Sequence, residues 1–192
     1  TGCGVIGGYC GEEGNEQNVI WTYANGTLTI SGTGAIADQR DNYDNRPWEE
    51  YVDQITTIVV NDGITSIGEA AFWRFQKLTT AKLPDSLTTI SQQAFYGCTA
   101  LKTVNFPANL KTIEGWAFLG CALESVTLPE GLKTIGYRAF SECKNLTSVT
   151  VPASVTTIDE GAFGYSPAKI TVAEDNLNYS SDEHGVLFDK DK

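Results

Sequence analysis

The dipeptide Ala-Phe recurs five times at nearly constant spacing, and this period limits the possible folds of the chain more than any other feature. Successive phenylalanines are 23, 23, 22 and 23 residues apart. They are Phe72, Phe95, Phe118, Phe140 and Phe163. Periods of roughly 20–50 residues are typical of solenoids, in which each unit buries its apolar side chains against its neighbours. The period therefore predicts a solenoid with coils of about 23 residues.

Three further markers keep the same register. Each unit has a leading apolar residue and an isoleucine twelve positions later, and four units share a proline. The leading residues are Ile55, Leu78, Leu101, Leu123 and Leu146, the isoleucines are Ile67, Ile90, Ile113, Ile135 and Ile158, and the prolines are Pro84, Pro107, Pro129 and Pro152. In the unit 101–122, residues 101–106 are predicted to form a strand that the proline ends, since proline cannot donate to a β-ladder. Residues 110–113 form a second extended piece, and Ala-Phe lies in a turn or a short helical segment.

The repeat resembles the leucine-rich repeat class, and most closely its bacterial BspA-like, or treponemal, subtype, whose unit reads L-x-x-I-x-L-P-x-x-L-x-x-I-G-x-x-A-F-x-x-C. Residues 78–98, 101–121 and 123–143 match strongly, and residues 146–166 match well. The first unit departs from the pattern with Asn61 for proline and Phe75 for cysteine. Residues 21–34 also look like the entry segment of such proteins. The resemblance implies a bacterial exported or cell-surface protein that acts in adhesion.

The two ends of the chain lack the full repeat. Asn25-Gly26 lies between two β-rich runs, which predicts a hairpin because both residues tolerate positive φ. Residues 45–48 open a short helix running towards Asp53, with Pro47 suited to its first turn. We therefore expect an N-terminal cap over residues 1–54 and a solenoid over 55–192, with five clear repeats and a partial C-terminal one. No polar cap follows the last repeat, so we expect the natural chain to continue after Lys192.

The net charge of −11 excludes some classes of partner. Residues 1–54 contribute −7 and residues 170–192 contribute −4, whereas residues 55–169 are neutral. An acidic chain is a poor ligand for nucleic acid or for anionic lipid, because both are bound through Lys and Arg. No apolar run approaches the roughly 18 residues of a membrane-spanning helix, so we expect no membrane insertion.

The sequence offers little for catalysis or for metal binding. It contains one histidine, His184, in a polar loop, and no motif for a nucleophile, a phosphate or a dinucleotide. Cys98, Cys121 and Cys143 share one position of the repeat with Phe75 and Ser166, and a position that accepts phenylalanine is a packing position. We predict a protein that is not an enzyme, with no cofactor and no metal.

Cys3 and Cys10 lie seven positions apart in a glycine-rich stretch outside the repeats. They form a disulfide if the protein is exported, since disulfides persist in oxidising compartments. The alternative is a frayed terminus with free thiols.

Two candidate binding surfaces follow from positions that vary between units. The first, the polar strip, consists of outward-facing residues of the first strands: Thr80, Lys82, Thr103, Asn105, Ser125 and Thr127. The second, the aromatic set, flanks the Ala-Phe dipeptides: Trp73, Tyr96, Trp116 and Tyr137. Solenoids bind ligands over extended curved surfaces, and exposed aromatic rings anchor proteins or stack on sugars. The alternatives are β-propensity for the threonines and local packing for the rings.

These observations predict a noncatalytic binding module for an extracellular protein or glycan, located outside the cell or on the bacterial surface. The alternative is a structural spacer that presents another domain of a longer surface protein. A catalytic or anchoring domain attached to the repeats would favour the spacer.

Overall fold

In the computed structural model, which describes residues 6–40 and 45–190, the chain forms a β-solenoid of about five coils. The strands are β1 (Ile6–Tyr9), β2 (Val19–Ala24), β3 (Thr27–Gly32), β4 (Gly34–Ala35), β5 (Thr57–Val60), β6 (Ile64–Ile67), β7 (Thr80–Lys82), β8 (Thr89–Ile90), β9 (Thr103–Val104), β10 (Thr112–Ile113), β11 (Ser125–Thr127), β12 (Thr134–Ile135), β13 (Ser148–Val151), β14 (Thr157–Ile158), β15 (Lys169–Val172), β16 (Tyr179–Ser181) and β17 (Leu187–Asp189). Short 3₁₀ helices span Glu16–Asn18 and Glu49–Tyr51.

Each repeat contributes one strand to each of two walls, as the pattern predicts. The first wall has the strand orders β1-β2-β3-β5-β7-β9 and β11-β13-β15, and the second has the order β14-β12-β10-β8-β6-β4. Neighbouring coils pair in parallel, so that Ile113 lies opposite Ile90 on one side and Ile135 on the other. The constant spacing of the sequence therefore becomes a constant register, in which like residues pair.

The core consists of columns of identical residues. Leu78, Leu101, Leu123 and Leu146 are fully buried, which confirms their predicted position. The Ala-Phe phenylalanines form a second column with ring centroids 5.1–5.7 Å apart from one coil to the next. Each coil thus gains its apolar burial from the coils above and below it, as expected for stacked units.

The Ala-Phe dipeptides lie in turns, and these turns form a third ladder along the solenoid. In the first coil the N–H groups of Ala70, Phe72 and Arg74 donate to carbonyls of the next coil at 2.7–3.0 Å. The corresponding residues of later coils donate in the same direction, so the N–H donors of this turn ladder all point towards the C-terminal end of the solenoid. The first and last of the three donors have positive φ in every coil, even where they are not glycine, as at Trp116 (φ 55°) and Arg138 (φ 52°). Such a conformation costs roughly 1–2 kcal/mol per residue, which the ladder hydrogen bonds help to offset.

Three residues that precede the first coil donate hydrogen bonds to the carbonyl groups at the N-terminal edge of the turn ladder. The carbonyl groups of Glu69, Ala71 and Trp73 accept hydrogen bonds from the Gln39 N–H (2.7 Å), the Trp48 indole (3.2 Å) and the Arg46 guanidinium (2.7 Å) respectively.

Both donor side chains have a second role. The fully buried Trp48 ring lies 5.5 Å from Phe72 and ends the phenylalanine column. Arg46, only 4% exposed, forms an ion pair with Glu49 at 2.7 Å and lies 5.1 Å above the Phe75 ring. The segment therefore supplies both the apolar cover and the hydrogen bonds that a preceding coil would give.

The rest of the N-terminal region joins the first wall. β2 and β3 are antiparallel and turn at Asn25-Gly26, both with positive φ, and β3 pairs in parallel with β5. The helix predicted to run towards Asp53 is a single 3₁₀ turn, Glu49–Tyr51. The chain leaves it at once because Ile55, which is fully buried, must enter the first coil.

The first wall breaks at the coil that is one residue short. One residue, Ala122, separates Cys121 from Leu123, whereas two residues separate the corresponding positions Cys98 and Leu101. Within residues 6–40 and 45–190, no strand pairing joins β9 to β11, although the second wall and the turn ladder continue through this coil.

Replacing Phe118 by alanine should lower the free energy of unfolding by about 3–5 kcal/mol, because the ring is fully buried between two others and its neighbours cannot collapse onto the space. Denaturant unfolding measures the change, with the exposed Thr127→Ala as a control that should alter stability by less than about 0.5 kcal/mol. A loss below about 1 kcal/mol for Phe118→Ala would contradict this account of the column.

Replacing Arg46 by methionine, which keeps most of the volume, should lower the free energy of unfolding by about 1.5–3 kcal/mol, because it removes charge-assisted hydrogen bonds to Trp73 and Glu49. Arg40→Met is the matched control, because the Arg40 side chain is 63% exposed and its ion pair with Glu69 is long, 3.5 Å. Equal effects of the two substitutions in thermal or denaturant unfolding would show that Arg46 does not hold the first coil.

Candidate recognition surfaces

The polar strip faces solvent along the first wall. In β11 the two hydroxyl residues, Ser125 and Thr127, are exposed on either side of the buried Val126. Thr80 is half-buried, and Lys82 and Thr103 are exposed. The alternation of buried and exposed positions in these strands therefore agrees with the predicted orientation of the strip. Whether a ligand binds there stays a prediction.

The strip is not continuous, because it crosses the break in the first wall. Thr80, Lys82 and Thr103 belong to the longer sheet, whereas Ser125 and Thr127 belong to the shorter one. At the edge of the longer sheet, the Asn105 side chain bonds the Leu83 backbone twice, accepting from its N–H and donating to its carbonyl, both at 2.8 Å. Asn105 therefore extends the sheet with its own amide, and that amide is already engaged.

A notch of about 350 Å³ marks the short coil at the turn before β11. It is lined by Cys121 and Ala122 of the short coil, by Thr99 of the preceding coil, and by Lys144 and Asn145 of the following coil. The missing residue thus leaves a depression between two turns of normal length. The sequence contains the signal for it in the single 22-residue step.

The aromatic set is divided into two pairs. Trp73 and Tyr96 follow Phe directly in adjacent coils and stack with centroids 6.4 Å apart and planes 21° apart. Trp116 and Tyr137 precede Phe and meet edge to face at 5.2 Å and 82°. All four rings are half-buried. The local packing considered as an alternative therefore exists within each pair, and it leaves part of every ring accessible.

An arginine lies over one ring of each pair. The Arg74 guanidinium carbon is 4.5 Å from the centroid of Trp73, and that of Arg138 is 5.2 Å from the centroid of Tyr137. Cations favour such positions because the ring face is electron-rich. Each pair thus combines apolar rings with a positive charge, a combination that the sequence analysis did not identify because the arginines occupy different positions of the repeat.

The repeat-phase cysteines are buried hydrogen-bond donors. The thiols of Cys98, Cys121 and Cys143 lie 3.1–3.2 Å from the carbonyl oxygens of Phe72, Phe95 and Phe118 in the preceding coils. Ser166 takes the same position and donates to the Phe140 carbonyl at 2.8 Å. The prediction that this is a packing position is confirmed. In the four coils that follow the first one, the position also holds a small side chain that donates a hydrogen bond.

Burial controls the chemistry of these thiols. It raises the pKa of Cys143 to about 12 and, together with a hydrogen bond to Cys98, raises the pKa of Cys121 well above its usual value. Cys10, near the N-terminus, is also buried, and its pKa is likewise raised to about 12. Its proposed partner Cys3 lies outside the described residues, so the disulfide stays a prediction.

The loop around His184 is held by its own backbone. The Asp182 carboxylate accepts hydrogen bonds from the N–H groups of Val186 and His184, and the first of these is the main cause of its lowered pKa. The imidazole is 78% exposed and faces Glu183 at 3.5 Å. Among residues 6–40 and 45–190, no three His, Cys, Asp or Glu side chains are grouped to hold a metal ion. No helix in the described part of the chain has the length and apolarity needed to cross a bilayer.

The columns, the parallel walls and the phenylalanine turns together define a β-solenoid of the leucine-rich repeat class. Residues 50–169 match the model of the BspA type leucine rich repeat region in six copies, and the chain belongs to this family. A comparison with curated proteins gave no match.

Solved structures of bacterial leucine-rich repeat proteins share the fold. A leucine-rich repeat protein from Eubacterium ventriosum superposes with a TM-score of 0.87 at 31% identity, over 97% of this chain and 49% of that protein. A leucine rich cell surface protein from Faecalibacterium prausnitzii gives 0.65 at 24%, over 90% of this chain and 57% of that one. The pneumococcal vaccine antigen PcpA gives 0.55 at 20%, over 97% and 55%. The chain thus spans about half the length of each of these relatives.

The thiols of Cys98, Cys121 and Cys143 should react slowly with a thiol reagent at pH 8 in the folded protein, because they are at most 2% exposed and the reactive thiolate is scarce. Unfolding in denaturant should make all of them react at once. A cysteine introduced at the exposed Thr127 is the control for reagent access and should react rapidly in the folded state. Rapid native labelling of all three natural thiols would contradict the buried donor role.

Proposed function

We propose that this chain is the binding module of a bacterial exported or cell-surface protein and that it recognises an extracellular protein or glycan. The observation that carries the proposal is the contrast between the buried and the exposed positions of the repeat in how much the residue type varies. The buried leucine and phenylalanine columns repeat one residue from coil to coil, whereas the second exposed position of the first strand differs, being Lys82, Asn105 and Thr127 in consecutive coils. Constant positions hold the fold, and the varied ones are free to match a ligand.

The family and its solved relatives support this proposal. The family consists of repeats whose stacked coils offer an extended surface, which is the usual binding surface of solenoids. Of the structures compared, one is described as a leucine rich cell surface protein and another as a pneumococcal vaccine antigen. Both descriptions agree with a role outside the cell.

The Trp116–Tyr137 pair, with Arg138 beside it, is the best candidate anchor. Its rings are half-buried, so they are already held in place, and contact with a ligand would remove water from their remaining exposed area. Rigid aromatic residues and arginine contribute most to interface energies for this reason. The polar strip, in contrast, offers hydroxyl groups and the Lys82 ammonium group on a wall that is interrupted.

A binding screen against extracellular matrix proteins and glycans, followed by substitution, tests the proposal. Trp116→Ala should weaken the binding of an identified ligand by about 2 kcal/mol, or roughly 30-fold, if the aromatic pair is the anchor. Lys82→Ala with Thr103→Ala tests the polar strip without disturbing the Asn105 amide. Tyr9→Ala, at a tyrosine that is 57% exposed in β1, is the matched control. Folded variants with unchanged affinity in both sets would place binding elsewhere, and the absence of any ligand would favour the spacer.

A further inference from the structure

The turn of the short coil lacks a hydrogen bond that the neighbouring turns contain. In three other coils the N–H group of the leading leucine donates to the carbonyl group three residues earlier. These bonds join Leu78 to Phe75, Leu101 to Cys98 and Leu146 to Cys143 at 3.0–3.1 Å. In the short coil Ala122 alone separates Cys121 from Leu123, so the same bond cannot form. The Cys121 carbonyl and the Leu123 N–H have no partner among residues 6–40 and 45–190.

A second bond is missing between this turn and the preceding coil. At three other steps along the repeats, the N–H group that follows the leading residue donates to the carbonyl group of its counterpart one coil earlier. These bonds join Thr79 to Thr56, Lys102 to Thr79 and Thr147 to Glu124 at 2.8–3.0 Å. From Glu124 to Lys102 the described part of the chain has no such bond, in agreement with the break between β9 and β11. The segment from Cys121 to Glu124 thus lacks two bonds that fix the corresponding turns elsewhere.

The two unpaired groups of the turn flank Ala122, which lines the notch. Cys121, Ala122 and Leu123 are only 2%, 8% and 1% exposed. Buried backbone groups without a partner are costly and rare in folded proteins, so their presence points to a group that completes them. The notch of about 350 Å³ is far larger than the roughly 30 Å³ share of one water molecule, and it can admit a side chain of another molecule.

The lining of the notch favours a neutral polar occupant. Glu142 and Lys144 both contribute to it, and Thr99 and Asn145 add uncharged polar side chains. An anion would be attracted by Lys144 but repelled by Glu142, and a cation would meet the reverse. The occupant must also offer one acceptor for an N–H group and one donor for a carbonyl group.

The chain already uses a carboxamide for this purpose at two places. The Asn105 side chain accepts from the Leu83 N–H and donates to the Leu83 carbonyl, both at 2.8 Å, at the edge of the same break. The buried Asn176 side chain donates to the Pro152 carbonyl and accepts from the Tyr179 N–H, both at 2.9 Å. A carboxamide therefore satisfies backbone donors and acceptors that the coils leave unpaired.

A primary carboxamide is better suited to this role than other amides. Its C=O and one of its N–H bonds lie on the same edge, so it can reach two neighbouring backbone groups at once. A trans secondary amide, as in a peptide bond or an N-acetyl sugar, has these groups on opposite edges. Primary carboxamides occur in proteins as the side chains of Asn and Gln, which makes a protein the source of the occupant.

We propose that the notch binds an Asn or Gln side chain of a partner protein, whose carboxamide accepts from the Leu123 N–H and donates to the Cys121 carbonyl. This role rests on the function proposed above, and it specifies a protein partner and the type of residue that the partner presents. The notch shares no lining residue with the polar strip or the aromatic set.

Titration of the tripeptide Gly-Gln-Gly into the ¹⁵N-labelled protein tests the site. At millimolar concentration it should shift the amide signals of Ala122 and Leu123 and slow the hydrogen exchange of Leu123. Gly-Met-Gly, with a side chain of similar length, should bind at least about tenfold more weakly, because it leaves both backbone groups unpaired. Gly-Glu-Gly should also bind weakly, because its carboxylate has no donor and is repelled by Glu142. N-acetylglucosamine is the comparison for a secondary amide.

A variant of the protein closes the notch. Insertion of one asparagine between Ala122 and Leu123 restores the two residues that the other turns contain. The leucine N–H should then bond the Cys121 carbonyl, and the response to Gly-Gln-Gly should disappear from a protein that is still folded. Lys77→Ala, at the exposed corresponding position of the first coil, is the matched control and should leave the response unchanged.

In the protein alone, the Leu123 amide should exchange faster than those of Leu101 and Leu146. Equal exchange, no signal change with Gly-Gln-Gly, or equal binding of Gly-Met-Gly would overturn the proposal. Tighter binding of N-acetylglucosamine would replace the protein side chain with a glycan, and faster exchange of Leu123 in Asn145→Ala would show that the chain fills its own notch. If Gly-Gln-Gly fails while the screen yields a ligand, the proposed function stands and this site alone is removed.

Discussion

Contacts between coils, rather than within them, hold this protein together. A single coil exposes both faces of its leucine and its phenylalanine, and each face becomes buried only when the next coil places the same residue on it. Register follows from this requirement, because burial is complete only where like residues lie opposite each other in successive coils. The Cys121–Leu123 turn illustrates the limit. With one residue fewer, the leucine and phenylalanine columns and the second wall are kept, whereas the pairing of the first wall is lost. In this coil the apolar stacking is kept, and the backbone pairing of one wall is lost.

A stack of this kind has two ends, and each end exposes ring faces and unpaired backbone groups. The N-terminal segment meets both needs with few side chains, since Trp48 covers Phe72 and donates a hydrogen bond, while Arg46 donates another and is neutralised by Glu49. The C-terminal segment meets them at the walls through Tyr179 and Asn176. The acidic residues gather in these end segments, and the repeats themselves are neutral. Charge therefore differs between the end segments and the candidate surfaces along the sides of the repeats.

The sequence was sufficient to predict the walls, the columns and the burial of the repeat-phase cysteines, because each depends on a residue type that recurs at a fixed spacing. The turn ladder was not predictable, since its positive-φ positions hold Ala70, Gln93, Trp116 and Arg138, none of which signals that conformation. The roles of Trp48 and Arg46 depend on contacts across more than 20 residues of sequence, with Ala71 and Trp73. The four rings of the aromatic set are half-buried, and their division into two pairs depends on turn geometry, which the spacing of the residues does not contain. The 22-residue step was visible, although its effect on the first wall required the structure.

The break between β9 and β11 also has a mechanical consequence. Three hydrogen-bond ladders connect the coils. The second wall and the turn ladder continue through the short coil, whereas the first wall is interrupted between β9 and β11. Bending that closes the intact side opens a gap where no hydrogen bonds need to break. Bending in the opposite sense must stretch the second wall and the turn ladder. We therefore expect the described coils to bend most easily at the third repeat and in one direction, so that the curvature can adjust there while the coils on either side keep their shape.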